Sequence, residues 1–134
     1  MGIYSTLERC DDIKAVGMTE ENFRNKWKEK IESLDEDRKG YLDFYEWSVA
    51  KREPDCLWFS LGCEDDDYYA KHYADRDLAD FISTVIAEGS VCFLEFSGDD
   101  NSLWGYYITR GSVKEIEYVR MVEGKLIDDQ KMPL

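Results

Sequence analysis

The apolar residues between positions 78 and 86 repeat with helical spacing, and this pattern constrains the fold most strongly. The repeat is i, i+3, i+4, i+7, i+8, which puts its members on one face of a helix: Leu78, Phe81, Ile82, Val85 and Ile86. Asp75 or Asp77 can cap the start of this helix, and Gly89 suits a left-handed stop after its end. The sequence therefore predicts an amphipathic helix over residues 77–88.

From Ser90 onward the hydrophobic period changes to two, which is typical of strands with one buried face. Strands are predicted over residues 91–96, 103–109 and 113–122, separated by turn clusters rich in Gly, Asp and Asn. Such an antiparallel meander needs a cover for its apolar face, and the preceding helix can supply it. The predicted class is α+β, and the length of 134 residues fits a single domain over residues 1–134.

The N-terminal half is predicted to begin with two helices joined by a loop. Thr19 can cap a helix over residues 20–34, whose apolar stripe has helical spacing: Phe23, Trp27, Ile31 and Leu34. A second helix is predicted over residues 44–52, and Pro54 excludes its continuation. The expected order is therefore a helix–loop–helix, then the amphipathic helix, then the sheet.

The segment between these two helices, DEDRKGYLDFYE over residues 35–46, resembles the calcium-binding loop of the EF-hand family. Gly40 matches the glycine of the sharp turn, and Leu42 matches the apolar residue that pairs loops. The resemblance implies a calcium site built from carboxylates and one backbone carbonyl: Asp35, Asp37, Tyr41, Asp43 and Glu46. Lys39 departs from the pattern, since it stands where an oxygen ligand is usual. The alternative interpretation is a helix–turn–helix whose acidic residues cap helix ends.

The charge balance constrains the partner. The chain has 30 acidic and 17 basic residues, a formal net charge of −13 and a pI near 4.4. This field repels nucleic acids and anionic membranes and attracts basic surfaces. An acidic run is followed directly by tyrosines, which together can bind Lys and Arg side chains. We therefore expect these residues to form a partner-binding surface: Glu64, Asp65, Asp66, Asp67, Tyr68 and Tyr69.

Catalytic patterns are missing from the sequence. His72 is the only imidazole, and the glycines show no phosphate-binding spacing. The four cysteines lack the spacing of a zinc site, and no signal peptide or membrane span is evident. We therefore expect a non-enzymatic cytoplasmic protein without a cofactor other than calcium.

The leading hypothesis is an acidic interaction protein that occludes a basic surface of a partner protein, for example one that binds nucleic acid. Small acidic α+β proteins of this kind include toxin-neutralising immunity proteins and phage anti-defence inhibitors, such as anti-CRISPR proteins that mimic nucleic-acid charge. This analogy depends on charge and size alone. The alternative hypothesis is a calcium-binding protein with a single EF-hand-like site.

Overall fold

The computed structural model describes residues 4–63 and 69–127. Within these ranges the chain forms helices α1 (Glu20–Glu32), α2 (Glu36–Asp43) and α3 (Asp75–Val85). Its strands are β1 (Ser5–Cys10), β2 (Ile13–Val16), β3 (Tyr45–Glu53), β4 (Cys56–Cys63), β5 (Tyr69–Ala70), β6 (Cys92–Gly98), β7 (Leu103–Thr109), β8 (Ser112–Glu115), β9 (Arg120–Val122) and β10 (Lys125–Ile127). The α+β class is confirmed.

The strands form two main antiparallel sheets and a separate hairpin. The larger sheet has the order β5-β1-β6-β7-β8, so the meander β6–β8 is extended by strands from earlier in the chain. The smaller sheet has the order β2-β4-β3, and β9 pairs with β10 alone. No helix in residues 4–63 and 69–127 is long and apolar enough to cross a membrane.

Helix α3 and an aromatic cluster join the layers of the core. The stripe predicted for α3 is buried, and Gly89 adopts the left-handed conformation with φ of 82°. The Gly111 amide donates to the Ser83 carbonyl at 3.0 Å, which fixes α3 against the β7–β8 turn. Phe23 of α1 stacks on Phe59 of β4, with ring centroids 3.7 Å apart. The two sheets and the helices therefore share one hydrophobic core.

The predicted second helix over residues 44–52 is wrong, because these residues form strand β3. Tyr45 and Trp47 are buried while Glu46 and Ser48 are exposed, which is the alternation of a strand with one core face. This strand pairs with β4 along almost its whole length. The period-two pattern and the pairing outweigh the local helical preference.

The loop predicted within residues 35–46 is also different, because most of it is helix α2. The Asp35 side chain accepts a hydrogen bond from the Arg38 amide at 3.0 Å and is the N-cap of this helix. The carboxylate therefore satisfies a free backbone donor of the first turn. This arrangement agrees with the capping interpretation of the acidic residues.

Two further predicted details differ at α3 and the last strand. Ala74 occupies the N-cap of α3 without a side-chain hydrogen bond, so neither Asp75 nor Asp77 caps the helix. Asp77 is buried and instead forms an ion pair with Arg38 of α2. The strand predicted over residues 113–122 is divided into β8 and β9.

Candidate functional site

A cleft of about 310 Å³ lies at the end of the larger sheet where β5, the start of α3 and the β6–β7 turn meet. We call it the acidic cleft, and its described lining is Ser5, His72, Tyr73, Asp75, Asp100, Ser102 and Trp104. Its volume is at the lower end of the ~300–1,000 Å³ typical of ligand pockets. Two carboxylates and two large aromatic rings line it, and no lysine or arginine is among its described lining residues.

Asp75 is held by side chains of strand β7. Its Oδ2 atom accepts from the Trp104 indole Nε1–H at 3.0 Å and from the Tyr106 hydroxyl at 2.8 Å. Burial and the hydrogen bond to this carboxylate raise the pKa of Tyr106, so the phenol stays a donor. Within the described residues, no donor reaches Oδ1 of Asp75. This oxygen therefore remains available to a bound group.

The second carboxylate is held by the β6–β7 turn. The Asp100 Oδ1 atom accepts from the Ser102 hydroxyl and from the Ser102 amide, the latter at 3.0 Å. These hydrogen bonds lower the pKa of Asp100, so it carries a negative charge at neutral pH. A Cβ at Gly98 would lie 2.6 Å from the Ser102 hydroxyl and 2.8 Å from Asp100 Oδ1, so a side chain there would displace these groups.

The inner part of the cleft contains a buried imidazole. His72 is only 3% exposed, and its Nδ1 atom is hydrogen-bonded to the Tyr45 hydroxyl. Burial raises the pKa of Tyr45, so this phenol is neutral. The imidazole also packs against Phe96, with ring centroids 5.1 Å apart. These contacts fix the imidazole between the cleft and the core.

Aromatic side chains extend the site onto the neighbouring surface. Trp104 stacks on Phe96 with an interplanar angle of 13°, so one indole face is covered by the core. Tyr69 is 44% exposed, stacks on Tyr4 and donates to Asp99 Oδ2 at 2.7 Å. Because Asp99 adjoins the carboxylate that lines the cleft, the tyrosine pair and the cleft belong to one end of the sheet.

Of the predicted partner-binding residues, only Tyr69 is described, and it lies beside the acidic cleft. The other five lie outside the described residues: Glu64, Asp65, Asp66, Asp67 and Tyr68. The role of the acidic run in partner binding stays a prediction.

The predicted calcium ligands are spread along helix α2 and onto strand β3. Asp35 and Asp37 lie at the start of α2, Asp43 at its end, and Glu46 points outward from β3. Tyr41 is half-buried and packs against the ring of Tyr73. Over residues 4–63 and 69–127, no group of three or more His, Cys, Asp or Glu side chains is arranged to hold a metal ion. Calcium binding by this segment stays a prediction.

Sequence reasoning missed the cleft because its residues are distant in the chain. Asp75 was expected to cap a helix, and Asp100 was expected to belong to a hairpin turn. The contact between Asp75 and Trp104 joins residues 29 positions apart. Only the packing of α3 against β7 brings them together.

No family model matches the chain, and no curated protein or solved structure matches it at a significant level. The chemistry of the acidic cleft is therefore the guide to function.

Proposed function

We propose that this chain is a non-enzymatic interaction protein whose acidic cleft binds a basic surface of a partner protein. The observation that carries the proposal is the lining of the cleft. The carboxylates of Asp75 and Asp100 share one cavity with the rings of Trp104 and Tyr73, and no described lining residue is basic. Cationic side chains are the groups that this lining complements.

The two kinds of lining group act on a cation in different ways. A carboxylate that is already oriented accepts charge-assisted hydrogen bonds, which are about twice as strong as neutral ones. An aromatic ring attracts a cation to its face by about 0.5–2 kcal/mol, depending on solvation. Asp75 is oriented by two donors, so little ordering is needed when a cation binds.

The overall charge favours the same class of partner. A net charge of −13 accelerates association with a basic protein and weakens association with nucleic acid. Proteins that bind nucleic acid present Lys and Arg on exposed surfaces, so they fit this field. Occupying such a surface would prevent it from binding nucleic acid. The exposed Tyr69 would extend the contact beyond the cleft.

The proposal is tested with an array of basic peptides and two double variants of equal charge. Asp75→Asn with Asp100→Asn removes both cleft carboxylates. Glu21→Gln with Asp37→Asn removes two exposed carboxylates from α1 and α2, neither of which is among the described lining residues of the cleft. We expect the first variant to lose most peptide signals, because the cleft itself binds the basic side chains, and the second to retain them.

Two results would reject the proposed function. One is an array on which no basic peptide is retained above acidic peptides of the same length. The other is an equal loss of signal in both double variants, because that result would reflect net charge and not the cleft. Raising the salt concentration should weaken every specific signal, since exposed charges are screened within about 8 Å at physiological ionic strength.

A further inference from the structure

The acidic cleft combines two carboxylates with aromatic rings in a small volume. We infer that it binds a single arginine side chain of the partner, with the guanidinium placed between the Trp104 ring and the carboxylates of Asp75 and Asp100. This inference depends on the proposed function and specifies which basic side chain the site selects.

The size of the cleft limits what can enter it. A volume of about 310 Å³ is small even for a drug-sized ligand. A helix or strand of the partner cannot be accommodated, whereas one long side chain can. The partner backbone therefore stays outside, near the surface formed by Tyr4 and Tyr69.

The hydrogen-bond acceptors favour a donor that is planar and forked. Asp75 presents Oδ1, because both of its described donors bind Oδ2. Asp100 presents Oδ2, because Ser102 occupies its Oδ1. A guanidinium has five N–H groups in one plane and can donate to two carboxylates at once. A lysine ammonium is a compact point charge that keeps its water more strongly.

The ring of Trp104 also favours a guanidinium. Trp104 lines the cleft, and its stack on Phe96 holds the indole in a fixed orientation. Guanidinium groups stack on aromatic faces more often than ammonium groups do. The indole N–H is already bonded to Asp75, so the ring and the carboxylate form one rigid unit. Selectivity for arginine follows from this fixed pairing of a flat ring with an in-plane acceptor.

Two cationic side chains of the described residues lie near the cleft and are engaged elsewhere. Arg76 forms an ion pair with Asp80 at 3.1 Å and lies over the Tyr106 ring. Lys71 lies over the ring of Tyr4, at the adjoining surface. Neither side chain is part of the described lining.

The test uses three short Gly/Ser peptides that differ at one position, which is arginine, lysine or citrulline. Citrulline keeps the planar shape of arginine without its charge. The ¹H–¹⁵N signal of the Trp104 indole reports binding, and Trp104→Phe assigns it among the four tryptophans. We expect the arginine peptide to shift this signal saturably. The lysine peptide should bind with about tenfold lower affinity, and the citrulline peptide should not shift the signal.

Asp75→Asn is expected to lower the affinity for the arginine peptide by about tenfold. Asp12→Asn, which removes an exposed carboxylate between β1 and β2, is the matched control and should leave the affinity unchanged. The peptide comparison on the unaltered protein keeps the test valid if Asp75→Asn does not fold.

Three outcomes would overturn the inference. If lysine binds as tightly as arginine while Asp75→Asn weakens both, the arginine selectivity is wrong and the proposed function stands. If the arginine peptide shifts other signals and not Trp104, the cleft is not the site. If no peptide binds and the basic peptide array is also negative, the inference and the proposed function both fail.

Discussion

Gly105 should be essential to the larger sheet, although it does not have an unusual backbone conformation. It lies in β7 opposite Glu95 of β6, in the interior of the five-stranded sheet. A Cβ atom at this position would lie 2.6 Å from the Leu94 carbonyl oxygen and 2.8 Å from the Tyr118 hydroxyl. The first of these atoms belongs to a backbone that is hydrogen-bonded on both sides, so it cannot move away freely.

The cost of Gly105→Ala follows from this geometry. Overpacking a buried site typically costs about 1–3 kcal/mol, and a clash with backbone is at the upper end. We therefore expect a loss of about 3 kcal/mol from a total stability of about 5–15 kcal/mol. Since urea slopes for small proteins are about 1–3 kcal/mol per molar, the unfolding midpoint should fall by about 1–3 M.

Gly62→Ala is the matched control. Gly62 also lies in the central strand of a sheet, opposite Glu46, but its added Cβ would meet only one atom, at 3.8 Å. This is an ordinary contact, so the loss of unfolded-chain entropy should stabilise the protein by about 0.4–1 kcal/mol. Urea unfolding followed by far-UV circular dichroism measures both variants. A loss below 1 kcal/mol for Gly105→Ala, or equal losses for both variants, would refute the reasoning.

Three further measurements test local interactions. Hydrogen bonds from the Cys56 thiol and the Lys51 ammonium lower the pKa of Glu53 to about 2. Lys51→Met should raise this pKa in a ¹³C NMR titration. The contribution of Glu53 to the stability of the folded protein should be present above the ordinary carboxyl pKa and lost as pH falls toward 2. Burial raises the pKa of Tyr106, so its phenolate absorbance should appear only when the protein unfolds at alkaline pH, and a separate titration in the folded state would contradict this. Asp35→Ala should lower the free energy of unfolding by about 1 kcal/mol, because the N-cap of α2 is lost. If Asp35 acts only as this cap, calcium should not raise the unfolding midpoint of the unaltered protein. A calcium-dependent rise would favour the EF-hand interpretation.

The elements with strong local periodicity were predictable. The stripe of α3 and the alternation of β6 and β7 are both dictated by one buried face, and each appears near its predicted position. Helix α1 begins directly after Thr19, whose hydroxyl accepts from the Asn22 amide at 3.1 Å. In these segments the local pattern and the tertiary environment favour the same structure.

The missed elements depend on pairing between distant segments. Strand β1 is short, and its place between β5 and β6 is set by partners more than sixty positions away. Residues 44–52 contain both a strand alternation and residues that a helix tolerates. Pairing with β4 decides between them, and it is invisible within a local window. The EF-hand resemblance favoured the helix because its loop requires one on each side.

The sequence contains one signal for the acidic cleft, the spacing of Trp104 and Tyr106, which has to be combined with the predicted packing of the helix on the sheet. Trp104 and Tyr106 are two positions apart on a predicted strand, so they lie on the same face of the sheet. Ile108 on that face is buried, which identifies it as the core face. Tyr106 is buried and Trp104 is partly buried, and the phenol and indole N–H groups of such side chains need acceptors. Helix α3, which covers this face, begins with Asp75, two residues before the predicted start, and the Asp75 carboxylate is the acceptor that the two donors share. The hydrogen-bond donors on the core face therefore indicate Asp75, whereas local acidic composition indicates only the run at 64–67.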